Sequence, residues 1–83
     1  MQKPRTPEGG KNIIHERLKE LREAEGLSQR GLANKLQLHG YDMDKNVITR
    51  IQTNKRYVTD VEIKAFVEVF GVDYAYFLDG KKK

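Results

Sequence analysis

Apolar residues recur along the chain at helical spacing, in five short groups. They are Ile14, Leu18 and Leu21; Leu32, Ala33 and Leu36; Val47, Ile48 and Ile51; Ile63, Phe66, Val67 and Phe70; and Tyr74, Phe77 and Leu78. Each group is bracketed by residues that start and stop helices. Asn12, Ser28, Asp44, Thr59 and Asp73 can offer side-chain oxygens to the unpaired N–H groups of a first turn, and Thr59 with Glu62 forms a capping box. Gly26, Gly40, Asn54 and Gly71 stand where a last turn closes, and Leu27 is placed to fold back as the apolar contact after Gly26. Gly31 interrupts the second group and is read as tolerated, at up to about 1 kcal/mol relative to Ala. The pattern predicts an all-α fold, a compact five-helix bundle with short connections.

The same pattern sets boundaries. Residues 1–11 hold both prolines and the Gly9–Gly10 pair and show no apolar period, which predicts a flexible N-terminal arm. Lys3, Arg5 and Lys11 would let such an arm brush a phosphate backbone or the minor groove, against the plainer reading of a loose terminus. The helical domain is expected over residues 12–79, followed by a basic C-terminal tail at 80–83. At 83 residues and 37% hydrophobic, the chain makes one small domain with a compact core, and no separate ligand-binding domain is expected.

Composition narrows the chemistry. The absence of cysteine excludes disulfides and cysteine-ligated zinc, and fits a reducing, cytoplasmic setting. No apolar run approaches a membrane span, and the N-terminus lacks the apolar core of a signal peptide. His15–Glu16 lacks the second histidine that a metalloprotease helix needs one turn on, because position 19 is Lys. Gly9–Gly10 is not followed by the Lys-Ser/Thr of a phosphate-binding loop. With no serine–histidine pairing either, an enzyme, a metal site and a cofactor are not expected. The net charge of +4 favours a polyanionic partner, although Lys81, Lys82 and Lys83 supply part of it as a solubilising tail.

The third helix carries the sharpest signal. Val47, Ile48 and Ile51 form one side, which leaves Lys45, Asn46, Thr49 and Arg50 on the other. Lys55 and Arg56 follow directly, so four basic residues and no acidic one lie between Asp44 and Asp60. Asn, Thr and Arg can bond to base edges, Arg bidentately to guanine O6/N7 and Asn to adenine, beside lysines suited to phosphates. For Asn46, adenine recognition competes with a bond at the start of its own helix. For Lys55 and Arg56, phosphate contact competes with an ordinary charged turn. A helix this short is marginal alone, so the other elements must hold it.

At these residues the chain resembles the Xre/Cro-like helix-turn-helix domains of phage repressors and bacterial regulators. The likeness rests on Leu21-Arg22-Glu23, Gly26-Leu27-Ser28-Gln29, Leu32-Ala33, the run Val47 to Arg56, Phe70-Gly71-Val72 and Tyr76-Phe77-Leu78. It implies that the second and third helices form the helix-turn-helix and that the third enters the major groove of double-stranded DNA. It further implies base contacts from Lys45, Asn46, Thr49 and Arg50, and phosphate contacts from Ser28, Gln29, Thr53, Lys55 and Arg56. Ala33 matches a small residue that lets the two helices approach. Three departures stand out. Gln52 replaces the usual Glu partner of Arg22, which would leave that arginine freer to reach a phosphate. Asn54 replaces the usual Gly. The connection from His39 to Met43 is longer than in the phage repressors and is expected as a structural extension. The reading is a transcriptional regulator that pairs as a homodimer on an inverted repeat, with Tyr74 and Tyr76 as core lids or as the dimer seam. The rival is a protein-interaction module of the antitoxin kind.

Overall fold

A computed structural model of the chain describes residue 6 and residues 9–79. Among them are five helices and no strand: α1 (His15–Ala24), α2 (Gln29–Leu38), α3 (Lys45–Gln52), α4 (Asp60–Phe70) and α5 (Tyr74–Asp79). The fold is all-α, as the apolar spacing predicts. Lys3, Arg5 and the tail at 80–83 lie outside the described residues.

Three of the expected caps are in place. The Gly31 N–H donates to Ser28 Oγ and the Val47 N–H to Asp44 Oδ1, each at 2.9 Å. Thr59 and Glu62 close a reciprocal capping box at the start of α4. At Gly31 a Cβ would lie 3.2 Å from the capping Ser28 Oγ, a tight approach that a few tenths of an ångström would relieve. α1 departs from expectation. Its N-cap is Ile14 and no side chain caps it. Asn12 is 7% exposed and turns instead towards α3, its Nδ2 donating to the carbonyls of Ile51 and Arg56, each at 3.0 Å. Its Oδ1 accepts from the Ile14 N–H at 3.2 Å, so both donors and the acceptor of a buried carboxamide are satisfied.

The first three helices end alike. Leu27 N donates to Arg22 O at 3.0 Å, Tyr41 N to Leu36 O at 3.0 Å and Lys55 N to Arg50 O at 2.9 Å. This is the six-to-one bond of a Schellman ending, and it needs a left-handed residue one position earlier. Glycine fills that place after α1 and α2, at φ 68° and 89°, whereas Asn54 fills it after α3 at φ 63°.

Leu18, Leu32, Leu36, Ile48, Ile51 and Phe66 are fully buried and form the centre of the core. α3 packs on α1 and α2, while α4 packs on α2 and α5. Those two neighbours turn α4 so that Ala65, Phe66, Val69 and Phe70 are buried, leaving Ile63 and Val67 half-buried. Phe77 anchors α5 with its ring 6.1 Å from Phe66 and edge-on to Tyr76 at 5.5 Å. Burial, with Glu20 nearby and only partly offset by Arg17, raises the Tyr76 phenol above its usual range. Tyr74 and Leu78 remain 48% and 43% exposed.

The long connection between α2 and α3 is built into the fold. Met43 is buried, and Tyr41 lies against the core with its hydroxyl donating to Glu68 Oε2 at 2.6 Å. That bond to a carboxylate raises the Tyr41 pKa. The segment therefore joins α4 as well as bridging α2 to α3.

Asn12→Ala leaves the carbonyls of Ile51 and Arg56 without their side-chain donor. Urea unfolding followed by helical circular dichroism is expected to show a loss of about 1–3 kcal/mol, against almost none for Asn46→Ala on the open face.

Candidate nucleic-acid interface

The orientation of α3 follows from its two fully buried isoleucines, Ile48 and Ile51. At about 100° per residue, their burial turns Lys45, Asn46 and Arg50 outward, and all three are exposed. None of these side chains has a hydrogen bond or ion pair among the described residues, and neither has exposed Lys55. Thr49 sits half-buried on the flank towards α2. Its hydroxyl lies 2.5 Å from Gln29 Oε1 and 3.0 Å from Lys45 O, so its single hydrogen is shared between two acceptors. Gln29, in the first turn of α2, thereby braces α3.

The remaining candidates carry structural bonds as well. Ser28 uses its Oγ for the α2 cap. Thr53 is exposed, with its hydroxyl turned back on Thr49 O at 2.9 Å. Arg56 is half-buried, and its Nη1 donates to Tyr57 O and to Glu62 Oε1, both at 2.9 Å. Because Glu62 Oε1 also accepts from Thr59 N at 3.0 Å, Arg56 ties the turn after α3 to the capping box of α4. The structure thus gathers Lys45, Asn46 and Arg50 on one face and Lys55 beside it, with Thr49 and Gln29 as a bridge and Arg56 directed inward.

Arg22 corrects one expectation. Exchange of Glu for Gln at position 52 does not free it. Arg22 Nε donates to Gln52 Oε1 at 3.0 Å and Nη1 donates to Leu27 O at 2.7 Å. Its side chain is only 12% exposed, with Glu23 at 3.9 Å. A neutral amide oxygen still accepts from a guanidinium, and with the Leu27 carbonyl as second acceptor it holds Arg22 inside the fold rather than free on the surface.

Two concavities flank the outward face. One of about 440 Å³ is lined by Lys11, Arg50, Lys55, Arg56, Tyr57 and Thr59. The other, about 330 Å³, lies between α2 and the start of α3, where Arg30, Asn34 and Gln37 meet Lys45 and Asn46. Of the basic residues in the N-terminal arm, Lys11 is brought to this face. The α2 stripe does not stand out from sequence, because Arg30, Asn34 and Gln37 have the i, i+4, i+7 spacing of any solvated helix side. Among the described residues no group of His, Cys, Asp and Glu could hold a metal ion, and no helix is long and apolar enough to cross a membrane.

A family model described as helix-turn-helix matches residues 18–77, from within α1 to within α5. No curated protein and no solved structure matches the chain.

Gln52→Ala leaves Arg22 Nε without its acceptor in a nearly closed site. The expected loss of stability is about 1.5–3 kcal/mol, the range for a hydrogen bond to a charged group. Chemical unfolding of the purified variant measures it, and a change below 0.5 kcal/mol (the spread of ordinary surface substitutions, roughly) would show that this bond does not hold Arg22.

Proposed function

The chain belongs to the Xre/Cro-like helix-turn-helix family of DNA-binding regulators, and from that premise we propose a sequence-specific transcriptional regulator that reads double-stranded DNA with α3 in the major groove. The observation that carries this reading is Arg50. It is an exposed guanidinium with no partner among the described residues, on a helix whose opposite side is locked by Ile48 and Ile51. A planar fork of donors held outward in this way suits guanine O6/N7.

In this proposal Lys45 and Asn46 read bases beside Arg50, and Thr49 sets their flank through Gln29. Ser28, Gln29, Thr53, Lys55 and the outer edge of Arg56 face phosphates. Two copies bind an inverted repeat with half-site centres about 34 Å apart, one helical turn of DNA. The exposed Tyr74 and Leu78 on α5 support a contact between copies. The protein acts in the cytoplasm, on the nucleoid, without a cofactor.

Selection of sites from random duplex DNA, followed by footprinting, tests the reading and gives the half-site spacing. A single uninterrupted half-site would remove the paired arrangement. Binding is expected to weaken steeply with salt, with a slope of about −0.9 per phosphate neutralised. A protein that binds no duplex at low salt would not be this regulator. On the selected site, Arg50→Ala is expected to weaken binding by about 1–3 kcal/mol and to flatten preference at one base pair. Lys55→Ala is expected to weaken all duplexes alike and to reduce the salt slope by about one. A changed base preference with Lys55→Ala, or an unchanged one with Arg50→Ala, would contradict these assignments.

A further inference from the structure

We propose that Lys11 is a phosphate contact of the DNA complex, fixed in position by the side chain of Asn54. The proposal rests on the DNA-binding reading above and extends it to the segment before α1.

The backbone of that segment is held firmly against the end of α3. The N–H groups of Lys11 and Asn12 both donate to Asn54 Oδ1, each at 3.0 Å. One residue earlier, Gly10 N donates to Thr6 Oγ1 at 2.9 Å, and Gly10 O accepts from Thr6 N at 2.9 Å. The approach is close enough to restrict position 10. A Cβ on Gly10 would stand 2.6 Å from Asn54 Cγ, inside van der Waals contact. Lys11 is thus delivered at a fixed point beside the turn that carries Lys55.

Its side chain points the same way. Lys11 Nζ lies 5.6 Å from the centroid of the Tyr57 ring. With Arg50, Lys55 and Arg56 it lines the 440 Å³ concavity at the end of α3. Of these four cations only Arg56 has an acidic partner among the described residues, Glu62. Among the described residues the other three cations have no acidic partner, and Lys11 brings a rotatable ammonium to the rim of the concavity, a form that suits a phosphodiester oxygen.

Asn54 is the part that recruits Lys11. The left-handed turn at φ 63° would form more readily with glycine. What asparagine adds there is one oxygen that accepts two successive backbone N–H groups.

The test measures affinity for duplex DNA as a function of salt for wild type, Lys11→Ala, Lys11→Arg, Asn54→Gly and the Lys11→Ala/Asn54→Gly double variant. Thermal melts establish that each is folded. Lys11→Ala is expected to reduce the salt slope by about 0.9, equally on all sequences and without a change of base preference. Lys11→Arg is expected to keep the slope. Asn54→Gly keeps the turn but releases the segment, so it should lose the same increment, and the double variant should lose no more. An unchanged slope in Lys11→Ala, with normal wild-type binding, would overturn this proposal alone. Additive losses would overturn the role of Asn54, and should Asn54→Gly unfold, the two Lys11 variants decide the contact. If wild type shows no salt-sensitive binding to duplex DNA, the DNA-binding reading falls with it.

Discussion

The burial of Ile48 and Ile51 is the constraint on which the surface depends. α3 is eight residues long, too short to persist without tertiary support. Each isoleucine contributes about 1.5–3 kcal/mol when removed from water. Rotation of α3 by one residue would expose one of them or press Arg50 into an apolar interior with no partner, which is costly for a charge. The two side chains therefore fix the outward direction of Lys45, Asn46 and Arg50 before any ligand is present. The Asp44 cap stabilises the first turn of the helix, and Asn12 ties its last turn to the segment before α1.

Around this helix the cations divide by what satisfies them. Arg22 and Arg56 use the planar guanidinium fork to join elements: Arg22 links α1 to Gln52 and the Leu27 carbonyl, and Arg56 links the turn after α3 to Glu62. Arg50, Lys45 and Lys55 have no such partners among the described residues. The division cannot be inferred from residue type, since all three arginines lie close to α3 or its turn. It follows from whether a carbonyl, amide oxygen or carboxylate lies within reach inside the fold.

Much of this was legible in the chain. The apolar spacing marked all five helices, and Ser28, Asp44 and Thr59 marked three of their starts, because caps and helical periods are local. The outward set on α3 was legible for the same reason. Asn12 was not. A polar residue ahead of an apolar stripe reads as a helix cap, yet it bonds across 39 and 44 residues to Ile51 and Arg56. The clip between Tyr41 and Glu68 and the placement of Lys11 depend likewise on tertiary approach, which no local pattern encodes. The rotated face of α4 has the same origin, because Val67 and Val69 are equally apolar and only the packing of α2 and α5 chooses between them.

The crowding between Gly10 and Asn54 restricts how the chain can vary. The three atoms nearest a Cβ at position 10 all belong to the Asn54 side chain. A side chain at residue 10 therefore requires the Asn54 carboxamide to move, and with it the oxygen that accepts from Lys11 and Asn12. Positions 10 and 54 are thus coupled, because a larger residue 10 and the Asn54 clamp on the N-terminal segment compete for the same space.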